Sequence, residues 1–220
     1  MLVLIPTPIG NLEDITLRAL RMLKQADFLL VEDSRKTGLL LKHFGIENKM
    51  IPYHKFNEHK SLEQLVEKIA AVNAAGLVTD AGTPGISDPG FLLVRECIRQ
   101  GIPVECLPGP TAFVPALVNS GFPADRFLFE GFLPVKKGRK TRLEKLAEQE
   151  VTIILYESPH RLLRTLQDLA AVLGQDRSVC VSRELTKIYE ENVRGSFPEV
   201  IAYYSNKTVK GEIVLIVSAE

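Results

Sequence analysis

The sequence predicts an α/β protein in two domains: a parallel-rich sheet with helices on both faces, then a mixed-sheet α+β domain. Three observations lead there. In the first half, short continuous apolar runs alternate with segments of helical period, the pattern of strands buried on both faces. In the second half, strand-like runs outnumber helical ones. Between the halves, residues 103–123 hold five of the chain's 13 prolines, and proline resists both helix interiors and central strands.

Taken in order, residues 2–5 form an apolar strand that ends in Pro-Thr-Pro-Ile-Gly. Residues 14–24 are helical through Ile15, Leu17, Leu20 and Leu23, with Asn11 or Asp14 as the cap. A strand at 28–31 and a helix at 36–44 follow. Residues 61–75 place Leu62, Leu65, Val66 and Ile69 on one amphipathic helix face. A buried strand at 76–79 runs into a Gly/Pro loop, and 91–100 reads as helix. Ser87 or Asp88 is positioned to cap that helix, with Pro89 as its first residue. One short helix at 111–118 follows Pro110. The expected domains are residues 1–112 and 113–220. In the second, strands are predicted at 127–132, 152–156, 179–182, 192–195 and 212–217, and helices at 139–149, 161–173 and 198–204.

The 220 residues are 45% hydrophobic and 25% charged, an ordinary globular composition. Lys+Arg and Asp+Glu both number 27, so the formal net charge is zero. That excludes a generally basic nucleic-acid coat while leaving room for a local patch. Cys97, Cys106 and Cys180 form no CxxC pair, which argues against a disulfide framework or a metal ribbon and suits a reducing compartment. No targeting segment or membrane span is visible. The expectation is a cytoplasmic protein that holds no metal.

Chemistry concentrates in three turns poor in side chains. TDAGTPGISDPG (residues 79–90) follows a strand directly, and its three glycines let backbone N–H groups approach a ligand closely. It is neither a Walker loop nor GxGxxG. Its plain alternative is a tight strand–helix connection. Thr7-Pro8-Ile9-Gly10-Asn11 and Pro108-Gly109-Pro110-Thr111-Ala112 are the other two turns. Loops at strand carboxyl ends are where open α/β sheets bind ligands, so the three are expected to converge on one crevice.

Seven segments in order (TPIGNLEDIT, EDSRKT, TDAGTPGISDPG, LPGPTA, GFLP, YESPHR and SRELTK) span nearly the whole chain. They resemble the ribosomal RNA small subunit methyltransferase I family, a branch of the tetrapyrrole (corrin/porphyrin) methylase superfamily. The resemblance implies a two-domain fold with S-adenosylmethionine (SAM) in the interdomain cleft, and usually a homodimer. The implied reaction is methyl transfer to the ribose 2′-hydroxyl of a cytidine in the decoding region of 16S rRNA, within the small ribosomal subunit. Carried over by motif, cofactor contacts include Pro8, Asp80, Ala81, Gly82, Thr83, Ile86, Ser87, Thr111 and Ala112. The second domain adds Tyr156, Glu157, Leu185, Gly211, Glu212 and Ile213. Ala81, Ile86, Ala112 and Leu185 suit an adenine slot, and Asp80 a ribose hydroxyl or the ammonium.

A 2′-hydroxyl is a weak acid, so a base or nearby cation should assist. Candidates are Asp33, His54, Glu130 and Glu157, with Arg35 and Lys187 as electrostatic helpers, and nothing in the pattern chooses among them. RNA binding needs phosphate neutralisation. Residues 136–142 hold Lys136, Lys137, Arg139, Lys140 and Arg142, five basic residues in seven. Cations at a helix N-terminus oppose its dipole and call for an external anion. Arg35, Lys36, His54, Asn57, His160 and Arg161 are further candidates, and Tyr53 or Phe56 a stacking partner. Rival readings are a sister methylase acting on a tetrapyrrole or diphthine, and a non-catalytic RNA- or ribosome-binding module.

Overall fold

The computed structural model describes residues 1–54 and 58–219. It divides into two compact units, Met1–Thr111 and Ala112–Glu220.

The first unit contains β1 (Leu2–Leu4), α1 (Leu17–Gln25), β2 (Phe28–Val31), α2 (Ser34–His43) and β3 (Met50–Pro52). These are followed by α3 (Glu58–Ala70), β4 (Ala75–Val78), α4 (Phe91–Arg99) and β5 (Val104–Cys106). The sheet runs β3-β2-β4-β1-β5, and every pairing is parallel. Because strand side chains alternate, each apolar run serves two cores. Leu2, Leu4, Phe28, Leu30, Ala75 and Leu77 pack with Leu65, Val66, Ile69, Leu93 and Cys97 from α3 and α4. Val3, Ile5, Leu29, Val31 and Val78 pack with Ala19, Leu23 and Leu41 from α1 and α2.

That order makes β4 a switch point. The connections leaving β1 and β2 run toward β3, whereas the one leaving β4 runs toward β5. Loops at the carboxyl end of β4 and of its neighbours therefore part to opposite faces and open a crevice.

Some boundaries differ from the sequence reading. Asn11 caps only the short 3-10 turn Leu12–Asp14; α1 starts after Thr16, whose Oγ1 accepts the Ala19 N–H at 3.0 Å. No sequence pattern foreshadows β3, and β5 lies inside the stretch read as a boundary; both are three-residue edge strands, too short to show a period. Helix α4 begins after Gly90 rather than at Pro89, with no side-chain cap. The chain must bring Gly90 against β4: a Cβ there would lie 3.2 Å from Leu77 Cδ2.

The second unit contains α5 (Phe113–Ser120), β6 (Phe127–Phe132), α6 (Arg139–Ala147), β7 (Thr152–Glu157) and α7 (Leu162–Leu173). Then come β8 (Ser178–Arg183), β9 (Glu191–Ser196), α8 (Phe197–Ser205) and β10 (Ile213–Val217). Its sheet runs β6-β7-β10-β8-β9, parallel between β6 and β7 and antiparallel elsewhere. Ile153, Leu155, Val179, Val181, Ile213, Leu215 and Val217 form one core with Leu143, Leu146, Leu162, Leu166, Leu169, Phe197 and Val200 of α6, α7 and α8. Helix α5 packs on the same sheet through β10, β7 and β8, burying Ala116 and Leu117. Among the described residues, no helix is long and apolar enough to cross a membrane.

Candidate cofactor site and basic surface

In the first unit the three side-chain-poor turns do meet. Thr7 and Gly82 exchange backbone hydrogen bonds at 3.0 and 2.9 Å, joining the loop after β1 to the loop after β4. Thr83 Oγ1 donates to the Pro110 carbonyl at 3.0 Å, tying in the loop after β5. Gly82 sits at φ +82°, and a Cβ there would lie 3.5 Å from Ile9 and 3.7 Å from the Pro110 oxygen. Glycine fits because the left-handed backbone disfavours a side chain, while those contacts are ordinary van der Waals distances.

The loop after β2 completes the crevice through charge. Asp80 Oδ1 accepts the Asp33 N–H at 3.2 Å, and Asp80 Oδ2 pairs with Lys36 Nζ at 2.7 Å. Glu32 accepts the Thr79 hydroxyl at 2.8 Å, and Thr7 Oγ1 donates to the Thr79 carbonyl. Asp88 joins this acidic group. Its burial, then the Glu32 and Asp80 charges, outweigh a hydrogen bond from Thr79 and push its carboxyl up to about 6. Spacing could not reveal this, because Asp80 shares the loop but the stronger charge, Glu32, follows another strand.

Beside these loops lies a cavity of about 330 Å³, within the usual range of small-molecule sites of about 300–1,000 Å³. Pro8, Leu12, Leu39 and Leu40 give it an apolar wall; Thr7, Thr79, Asp80, Lys36 and His43 supply polar groups. Pro8 and Asp80 come from the expected cofactor set and Lys36 from the expected RNA set. Ala81 and Ile86 are half-buried in the same loop, and Ser87 is exposed with φ +63°. Thr111 ends the first unit, and Ala112 is the N-cap of α5 in the second.

In the second unit, the remaining expected cofactor contacts share one end of the sheet. Register pairs Ile213 with Glu157 and with Arg183, and Tyr156 with Val214. The turn carrying buried Leu185 uses two left-handed residues, Glu184 (φ +53°) and Thr186 (φ +66°). It is stapled by Glu184 N–H to the Glu212 carbonyl at 2.9 Å and by Glu212 N–H to the Glu184 carboxylate at 3.0 Å.

Most base candidates are committed to other partners. Asp33 caps α2 and pairs with Arg35; that side chain, then the Arg35 N–H, hold its carboxyl down to about 2. Glu130 is paired with Arg142. Glu157 is buried, pairs with Arg161 at 2.6 Å and accepts the Thr165 hydroxyl at 2.6 Å. Burial opposes the Lys187 charge, but Glu184 at 2.8 Å and Glu212 at 2.9 Å more than compensate and raise its ammonium above the ordinary range. His54 follows β3 and is half-buried. The three cysteines are free thiols, all raised by burial, Cys97 to about 11, so none is an activated nucleophile. Among the described residues no cluster of His, Cys, Asp and Glu could hold a metal ion.

The basic run divides by burial. Lys136, Lys137 and Lys140 are exposed. Arg139 instead turns inward, 5% exposed, pairing with Asp168 at 2.8 Å and donating to Thr165 and the Pro134 carbonyl. That corrects its assignment to the RNA surface: a buried guanidinium with all three nitrogens engaged inside the unit is turned away from phosphate. Arg142 and Arg161 are likewise engaged, while His160 is exposed. Asn57 and Phe56 lie outside the described residues, and Tyr53 is buried, so it offers no open face for stacking.

Doubly wound strands under a crevice at the β4 switch point, followed by a mixed-sheet unit, are the architecture of the tetrapyrrole methylase class, and the sequence match agrees. The family described as Tetrapyrrole (Corrin/Porphyrin) Methylases matches residues 1–201. The Thermus thermophilus uroporphyrin-III C-methyl transferase complexed with S-adenyl homocysteine shares the fold, at TM-score 0.67 and 21% identity over 99% of this chain and 96% of that one. A diphthine synthase does so at TM-score 0.75 and 12% identity, covering 99% and 89%. Much closer in sequence is a Synechocystis sp. "Ribosomal RNA small subunit methyltransferase I", 50% identical over 99% of this chain and 78% of the relative. The Thermotoga maritima protein of that name is 42% identical over 100% and 98%. The chain belongs to the ribosomal RNA small subunit methyltransferase I family of tetrapyrrole methylases.

Proposed function

We propose that this chain uses SAM to methylate the ribose 2′-hydroxyl of a cytidine in the decoding region of 16S rRNA, acting as a homodimer in the cytoplasm. The observation that carries the reading is the meeting of the Gly82, Pro8 and Pro110 turns around Asp80. Relatives 42–50% identical, named for small-subunit rRNA, support the substrate.

The residues suit this cofactor. SAM supplies an electrophilic sulfonium methyl when bound. Backbone at Gly82 and Gly85, both left-handed, accepts close approach. Asp80, pre-oriented by Asp33 N–H and Lys36, offers an acceptor for a ribose hydroxyl or an ammonium. In the second unit, Tyr156, Leu185, Gly211, Glu212 and Ile213 are proposed as further contacts. With Asp33, Glu130, Glu157 and Lys187 held in ion pairs, the chain's own contribution is positioning and water exclusion, and the hydroxyl proton passes to solvent.

The test supplies labelled SAM with small ribosomal subunits, naked 16S rRNA or precorrin. Label in a cytidine whose 3′-phosphodiester resists alkaline hydrolysis is expected, because 2′-O-methylation removes the attacking hydroxyl. Label in precorrin instead would overturn the substrate. Absence of a calorimetric SAM signal with folded protein would make it a non-catalytic RNA-binding module.

A further inference from the structure

The second unit carries an exposed aromatic edge whose outer ring, Phe132, the proposed chemistry does not use. Strand β6 is an edge strand with a bulge: Phe129 pairs with Ile154 but Gly131 with Leu155, leaving Glu130 extra. Gly131 makes the bulge possible with φ +70°. In a regular strand Phe129 and Phe132, three residues apart, would face opposite sides. Here both meet Tyr156, with ring centroids 5.1 and 5.6 Å away. Phe129 also packs on Phe113 at 4.7 Å. The outermost ring, Phe132, is 54% exposed although buried Leu133 anchors the next residue.

Exposed cations follow at once. Lys136 and Lys137 are four and five residues on, so Lys136 lies within about 14 Å of Phe132 along the chain. Lys140 adds a third exposed ammonium on the first turn of α6, with only a loose 3.8 Å approach to Glu144. A ring braced from behind and open in front, beside solvent-facing positive charge, matches an unstacked base and its flanking phosphates. A protein partner's apolar patch would gain nothing from the lysines.

We propose that Phe132, braced by Tyr156, stacks on an unpaired base of single-stranded RNA while Lys136, Lys137 and Lys140 take the adjacent phosphates. The inference rests on the RNA-methylating reading for its biological substrate, but its binding step is measured without methyl transfer.

The chain has no tryptophan, so Phe132→Trp installs a unique fluorophore where the base should sit, and Phe91→Trp, at another exposed phenylalanine, serves as control. A cytidine-rich 12-mer oligoribonucleotide should quench the indole of the Phe132→Trp variant and not that of the Phe91→Trp variant; its perfect duplex, with bases already stacked, should quench neither. Phe132→Ala should weaken 12-mer binding roughly ten-fold, as loss of one stacked base does. Phe132→Tyr should restore it. Wild-type affinity in Phe132→Ala, full rescue by Phe132→Leu, or a changed oligomeric state in place of changed RNA binding would overturn the inference. Failure of the wild type to methylate any RNA would instead sink the proposed function and leave the stacking result standing.

Discussion

At the residue scale, identical chemistry in neighbouring positions serves different ends. Lys137 and Arg139 are two residues apart in one basic run, yet one is in water and the other is buried against Asp168 and Thr165. Arg139→Ala removes the inward partner of Thr165 and leaves Asp168 only the looser Arg164 approach at 3.8 Å, and should cost about 2 kcal/mol in urea unfolding. Lys137→Ala should leave the unfolding free energy within about 0.5 kcal/mol of wild type and weaken RNA binding only. Asp88 is a second case. Its folded pKa, about 6, lies above its unfolded value, so the folded state holds the extra proton. Its contribution is therefore most favourable below about pH 4 and is lost as pH rises through 6. Asp88→Asn should stabilise the fold by about 1 kcal/mol relative to wild type at pH 7.5, after allowance for partial exposure, read as a higher melting temperature, with the gain gone at pH 4.

At the scale of elements, caps and bulges decide where side chains point. Thr16, not Asn11 or Asp14, starts α1; Thr16→Ala should destabilise the first unit by about 1 kcal/mol, read by thermal unfolding. Gly131 carries a larger consequence. Gly131→Ala places a Cβ on a left-handed backbone, costing about 1 kcal/mol, and favours straightening of β6. Straightening would turn Phe132 away from Tyr156, so RNA affinity should fall with Phe132 itself untouched. Unchanged affinity in that variant would mean the bulge does not aim the ring.

For the molecule as a whole, zero formal charge means no long-range field gathers RNA, and the salt response must come from the local patch. With three exposed lysines on phosphate, log Kd should change with log salt with a slope of magnitude about 2, falling by about 0.7 in Lys137→Ala. Cofactor affinity has a matching signature: SAM at 100 times its Kd should stabilise the chain by about 2.7 kcal/mol, measured by calorimetry.

What the sequence alone determined is what depends on neighbours along the chain. Continuous runs such as Leu2–Leu4 and Phe28–Val31 must be strands buried on both faces, and the period of Leu62, Leu65, Val66 and Ile69 must be a helix. The Gly/Pro turns advertised a crevice because their composition itself removes side chains. Only the tertiary structure decided what depends on residues far apart. Asp88 gains its perturbing charge from Glu32, 56 positions earlier; Arg139 finds Asp168 and Thr165 on another helix; and Phe132 changes face through one bulged residue. Burial and charge pairing are set by distance in space, and a one-dimensional pattern carries that distance only where the chain folds locally.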